Sequence, residues 1–100
     1  NKMVEQANVE RAKNIIIQAV NKGKIDPIIT IHQQLVPVNE PIMDGNITTL
    51  MLVAGKGSGA DIKKLLALDP DVNKTDKYGR TALHFACRSG NESTFDELVQ

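Results

Sequence analysis

The feature that most constrains this chain is that it repeats itself. Thr81-Ala82-Leu83-His84-Phe85-Ala86-Cys87-Arg88-Ser89-Gly90 lies over Thr48-Thr49-Leu50-Met51-Leu52-Val53-Ala54-Gly55-Lys56-Gly57, with Thr, Leu and the closing Gly in common. One further repeat length back, Asn14-Ile15-Ile16-Ile17-Gln18-Ala19-Val20-Asn21-Lys22-Gly23 fits the same template more loosely. Units of this length, from Thr48 to Thr81, cannot each bury an apolar face alone, so the chain must stack them. Each block reads as a short helix, opened by a Thr or Asn cap and closed by Gly. Leu83 falls on its core side.

A second helix follows each Gly. Ile62, Leu65 and Leu66 recur as Phe95, Leu98 and Val99, and earlier as Ile28, Ile31 and His32. Spacings of three and four put these side chains on one helical face. Asp26-Pro27 makes a good helix start, with Asp as cap and Pro at the first helical position. Breaks come at Val36-Pro37-Val38-Asn39 and at Asp69-Pro70-Asp71-Val72-Asn73. After the second break, Asp76 and Gly79 signal a tight turn. Residues 1–13 read as extra helix, with Met3, Val4 and Ala7 as an inward stripe.

Asp71-Val72-Asn73, Asp76, Gly79 and Thr81-Ala82-Leu83-His84-Phe85-Ala86 with Gly90 resemble the ankyrin repeat, with Ala82 where the family commonly has Pro. In the middle unit Met51 replaces the family's His, and the turn between Glu40 and Ile47 holds one extra residue. The first unit keeps spacing and hydrophobicity, as a terminal capping repeat does. The resemblance implies an all-α helix–loop–helix solenoid with short hairpin-like turns, forming a single domain over residues 1–100. Within it, 1–38 would be a degenerate capping repeat with a leading helix, 39–70 a second repeat and 71–100 a third that ends inside its second helix. Phe95, Leu98 and Val99 would have little on their far side, so a longer parent chain is expected.

The implied function is protein binding. The twelve basic and twelve acidic residues balance, whereas a nucleic-acid binder needs a basic stripe to neutralise phosphates. The same balance argues against adhesion to anionic membranes. The longest purely apolar run, Leu50 to Ala54, is far short of a bilayer span. One cysteine permits no internal disulfide, which favours an intracellular home; the Asn46-Ile47-Thr48 and Asn91-Glu92-Ser93 matches would matter only in a secreted protein.

The segment 55–59 lacks the spacing of a phosphate-binding loop and reads as a widened, flexible connection. Cys87 reads as a small buried thiol. The family resemblance gives His84 hydrogen bonds between adjacent turns, alongside Thr81 as cap. No catalytic constellation, metal set, cofactor site or small-molecule site is expected. Carried onto this sequence, the family's variable positions are Thr75, Lys77, Tyr78, Arg80, Arg88 and Ser89. Met43 and Lys56 occupy the matching turn and loop of the middle unit, where Ile42 and Ile47 either face a partner or fold back. The competing reading is a regulatory segment docked on the catalytic domain of its own larger enzyme.

Overall fold

A computed structural model describes residues 2–99, and side chains from 6 to 99. Its helices are α1 (Lys2–Lys22), α2 (Asp26–Gln34), α3 (Thr49–Lys56), α4 (Gly59–Leu66), α5 (Ala82–Ser89) and α6 (Glu92–Leu98). No strand occurs among the described residues; one isolated antiparallel bridge joins Met43 to Ile47. The fold is an all-α helical repeat.

Local chemistry starts the helices, at Thr48 and Thr81 as expected and also at Ser58, inside the stretch expected to be a loose loop. The Ser58 hydroxyl accepts the Asp61 amide at 3.2 Å, while the Ser58 amide donates to Asp61 Oδ2 at 3.4 Å. This reciprocal box satisfies two donors that a helix start leaves open. Thr48 opens α3 in the same way, with the sulfur of Met51 as acceptor: Thr48 N donates to Met51 Sδ at 3.5 Å. In α5 the amide of Thr81 donates to His84 Nδ1 at 3.1 Å. A thioether thus fills the place of an imidazole, which keeps the cap and lets Met51 be buried.

Several starts differ from the expectation. Helix α1 runs unbroken through Asn14, so no cap opens a helix there. A 21-residue helix has enough internal hydrogen bonds to carry Asn14 in its middle. In α2 the cap position is Ile25, with no side-chain bond, and Asp26 sits inside the helix beside Pro27. Ala7 is exposed; the side chains of Met3 and Val4 lie outside the described residues.

Helix α3 packs against both α1 and α5, while α4 packs on α6 and α1 on α2. Ile16, Ile28, Leu50, Met51, Val53, Ala54, Ile62 and Leu65 form the centre of one continuous core. Fully burying a side chain such as Leu65 contributes about 1.5–3 kcal/mol. His32 ties α2 to α3 inside that core. Its Nδ1 donates to the Val36 carbonyl at 2.9 Å, which leaves Nε2 to accept from the Thr49 hydroxyl at 2.7 Å. Burial pushes the His32 pKa below its ordinary value of 6.5, against the opposing pull of the Val36 and Pro37 carbonyls.

The glycine-rich connection 55–59 is closely packed, contrary to the flexible loop expected. A Cβ at Gly59 would meet the Ser93 carbonyl at 3.0 Å, and the Gly59 amide donates to Ser93 Oγ at 3.1 Å. Asn91 Nδ2 donates to the Gly57 carbonyl at 2.7 Å, and buried Thr94 Oγ1 donates to the Ala54 carbonyl at 2.6 Å. These bonds bring α6 against the α3–α4 junction, close enough that a Cβ at Gly59 would be tighter than an ordinary contact. Gly57 itself lies at φ −92°, whereas its counterpart Gly90 ends α5 in the left-handed region at φ 67°. The same letter therefore ends two helices for different reasons: close approach in one, an αL cap in the other.

Candidate interaction surface

The turn before α5 is built around one carboxylate. Asp76 Oδ1 accepts the amides of Tyr78 and Arg80, both at 2.9 Å, and Oδ2 accepts Arg80 Nε at 2.7 Å. The main chain closes the loop: Gly79 N donates to the Asp76 carbonyl, and Asp76 N donates to the Arg80 carbonyl. The carboxylate is fully enclosed. Burial alone would raise its pKa, but the donated bonds of Arg80 and Tyr78 and the guanidinium charge outweigh that and hold it below the usual range.

Asp76 in turn positions the exposed residues. The Arg80 guanidinium stacks 5.1 Å from the Tyr78 ring centre and 4.9 Å from that of Phe85. Lys77 Nζ lies 5.1 Å from the Tyr78 ring. Tyr78 is 71% exposed. Its ring therefore stands in water, held beside two cations by contacts of the cation–π kind.

Of the residues singled out from sequence, Thr75, Lys77, Tyr78, Arg80 and Met43 come together at the turn ends. Lys77 N donates to the Gly45 carbonyl at 2.8 Å, joining the turn to its neighbour. In that neighbouring turn Ile42 N donates to the Ile47 carbonyl at 2.7 Å. Ile42 is buried and Ile47 half-buried, while Met43 faces solvent. The enlarged turn thus folds back with two of its apolar residues and presents the third. Lys56, Arg88 and Ser89 lie at the other ends of α3 and α5, about 12 Å along helices of eight residues. They share one end, because a Cβ on Gly55 would sit 3.1 Å from Ser89 Oγ. Lys56 Nζ donates to Asn21 Oδ1 at 3.0 Å.

Asp76 and Phe85, which hold Arg80, were absent from the sequence-based set. The Asp-to-Arg spacing of four was the available signal for Asp76; the Phe85 contact had none. His84 is exposed, and the bonds found for it run to Thr81 of its own helix, not to a neighbouring turn. Cys87 is exposed, not buried. It lines an open groove of about 420 Å³ with Leu83, His84 and Arg88 on the outer side of α5. No described helix is long and apolar enough to cross a membrane.

Comparison with known proteins agrees with this architecture. Zebrafish (Danio rerio) inversin is 50% identical over 64 residues, covering 62% of this chain and 6% of that protein. Human inversin is 51% identical over 49 residues, covering 47% of this chain and 5% of its own length. Protein HOS4 of Saccharomyces cerevisiae is 39% identical over 64 residues, covering 64% of this chain and 6% of that protein. This chain therefore spans only a small fraction of each relative. The family model for ankyrin repeats, in three copies, matches residues 15–100, and with the stacked helix pairs and the Asp76 turn in view the chain belongs to the ankyrin-repeat family.

Proposed function

We propose that this chain is a non-catalytic protein-interaction module, which holds a protein partner through its turn ends and along α3 and α5. The observation that carries the reading is the turn at 76–80. A buried carboxylate spends its hydrogen-bonding capacity on fixing an exposed Tyr and Arg, and core packing gains nothing from Tyr78 at 71% exposure. Tyr and Arg are the residue types most enriched at binding hot spots, and a pre-ordered aromatic loses little entropy on docking. Stacked repeats of this family offer such a surface in general. The division into units at 1–38, 39–70 and 71–100 is part of the same reading. So is an intracellular setting, supported by the one exposed and unpaired thiol.

Tyr78→Ala is the clean test. It is expected to weaken binding of a protein partner by about 1–2 kcal/mol with helicity unchanged. Equilibrium binding by calorimetry, with circular dichroism as the folding control, measures both. Undiminished binding would remove the turn from the interface. Arg80→Ala is a poorer probe, because it also leaves Asp76 enclosed without its cation.

A further inference from the structure

Charge is unevenly placed in a chain whose formal net charge is zero. Helices α3 and α5 contain no Asp or Glu; their charged residues are Lys56 and Arg88. The turns leading into them add Lys74, Lys77 and Arg80 against Glu40, Asp44 and Asp76. Two of those acids are already engaged: Glu40 by Lys13 at 3.1 Å and Asp76 by Arg80 at 2.7 Å. Asp71, just before the turn, accepts the Asn73 amide. The acids of the last helix pair, Glu92, Asp96 and Glu97, lie on α6. Among the described residues, the turn and first-helix side is left with Lys56, Lys74, Lys77 and Arg88 against Asp44 and Asp71, with Asp69 in the break before the turn, so bases still outnumber acids there.

We infer that the partner segment held on this face is an acidic peptide whose carboxylates meet Lys74, Lys77 and the free N–H groups of Arg80 around Tyr78, and Arg88 farther along. This rests on the reading of that face as the partner-binding one and adds the chemistry of what it binds. Arg80 uses Nε on Asp76 and keeps its terminal N–H groups for a further acceptor. Tyr78, flanked by two cations, supplies a rigid platform between them. In an extended peptide alternate side chains share a face about 7 Å apart, so two or three carboxylates fit the roughly 12 Å between the turn and Arg88. A nucleic acid is the weaker occupant, since its closely spaced phosphates would also meet Asp44 and Asp71 in the same turns.

The test is a nuclear magnetic resonance titration of the isotope-labelled chain with an acetylated peptide of alternating Glu and Gly, beside its Gln counterpart. The Glu peptide is expected to shift the amide resonances of 74–80 and 88, and the Gln peptide to leave them in place. Raising salt from about 20 mM to about 200 mM should weaken binding several-fold, as exposed charge pairs are screened. Lys74→Glu with Lys77→Glu should weaken it about 10-fold or more, whereas Lys63→Glu with Lys64→Glu, on α4, should not. The inference is overturned if the Glu peptide does not bind, if both double variants weaken it equally, or if a single-stranded oligonucleotide binds the same residues more tightly. Loss of partner binding in Tyr78→Ala without Glu-peptide binding would keep the face and discard the acidic chemistry. Glu-peptide binding with partner binding indifferent to Tyr78→Ala would support the acidic chemistry and discard the partner-face reading.

Discussion

Helices α3 and α5 follow one template, a single repeat apart, yet live in different surroundings. Helix α3 is packed by α1 on one side and α5 on the other, and Leu50, Met51, Val53 and Ala54 are all buried. At the matching positions of α5, Ala86 is buried and Leu83 half-buried, while His84 and Cys87 are open to solvent. The difference lies in the neighbours, since the residue pattern is nearly the same. Within residues 2–99, α3 has helices packed on both sides and α5 on one. The polar bonds divide likewise: Thr94 and Asn91 reach back from α6 to the carbonyls of Ala54 and Gly57.

The pair Leu50 and Leu83 gives the largest expected effect and the sharpest way to break this comparison. Leu50→Ala should cost about 2–5 kcal/mol in chemical denaturation, as a cavity in a closed core. Leu83→Ala, at the equivalent position, should cost about 1 kcal/mol, because solvent already reaches the side chain and no closed cavity forms. Equal losses would mean that the outer side of α5 is as covered as that of α3.

Thr94→Val tests the link between the two helix pairs. It keeps the shape of a fully buried side chain and removes the donor to the Ala54 carbonyl, so a loss of about 1–3 kcal/mol is expected in chemical denaturation. A neutral result would show that the carbonyl finds another donor and that packing alone couples the pairs.

A smaller effect follows from the imidazole of His32, on the closed side of the molecule. Its folded pKa lies below the ordinary 6.5, so between those values the unfolded chain binds more protons than the folded one. Stability from this group is therefore complete above pH 6.5 and falls as pH drops toward the folded value. Asp76 behaves in the same direction but lower: its contribution is present above the unfolded value of 3.8 and is lost as pH falls through its depressed folded value. Melting curves between neutral and mildly acid pH should show a decline that His32→Gln removes; a decline unchanged in that variant would assign it to other groups.

Much of this was legible because it is local. The helix start at Thr81 lies within three residues and the Asp76 turn within four, whereas the Ser58–Asp61 start, equally short, was hidden in a stretch that reads as a loose glycine loop. In the first two, side chains so close in sequence meet in any copy of the fold, so spacing alone locates them. Tyr78 as an exposed tip residue was readable for the same reason. The Phe85 side of the Arg80 stack was not, since it depends on how the turn leans over the helix that follows. Cys87 misled for another reason. Its helical position matches Ala54, and only the presence or absence of an outer neighbour separates the two.

By itself, the amino-acid sequence determined the repeat period, the helix starts at Thr48 and Thr81, and the turn that sets Tyr78 beside Arg80. The tertiary structure alone decided which of several equivalent residues are buried. It also turned residues 55–59 into a close contact and left Lys56, Lys74, Lys77 and Arg88 with no ion pair among the described residues. The reason is one of range. Hydrogen bonds within a single helical turn are written into spacing, whereas burial and charge compensation depend on groups a whole repeat away, such as Ser93 against Gly59.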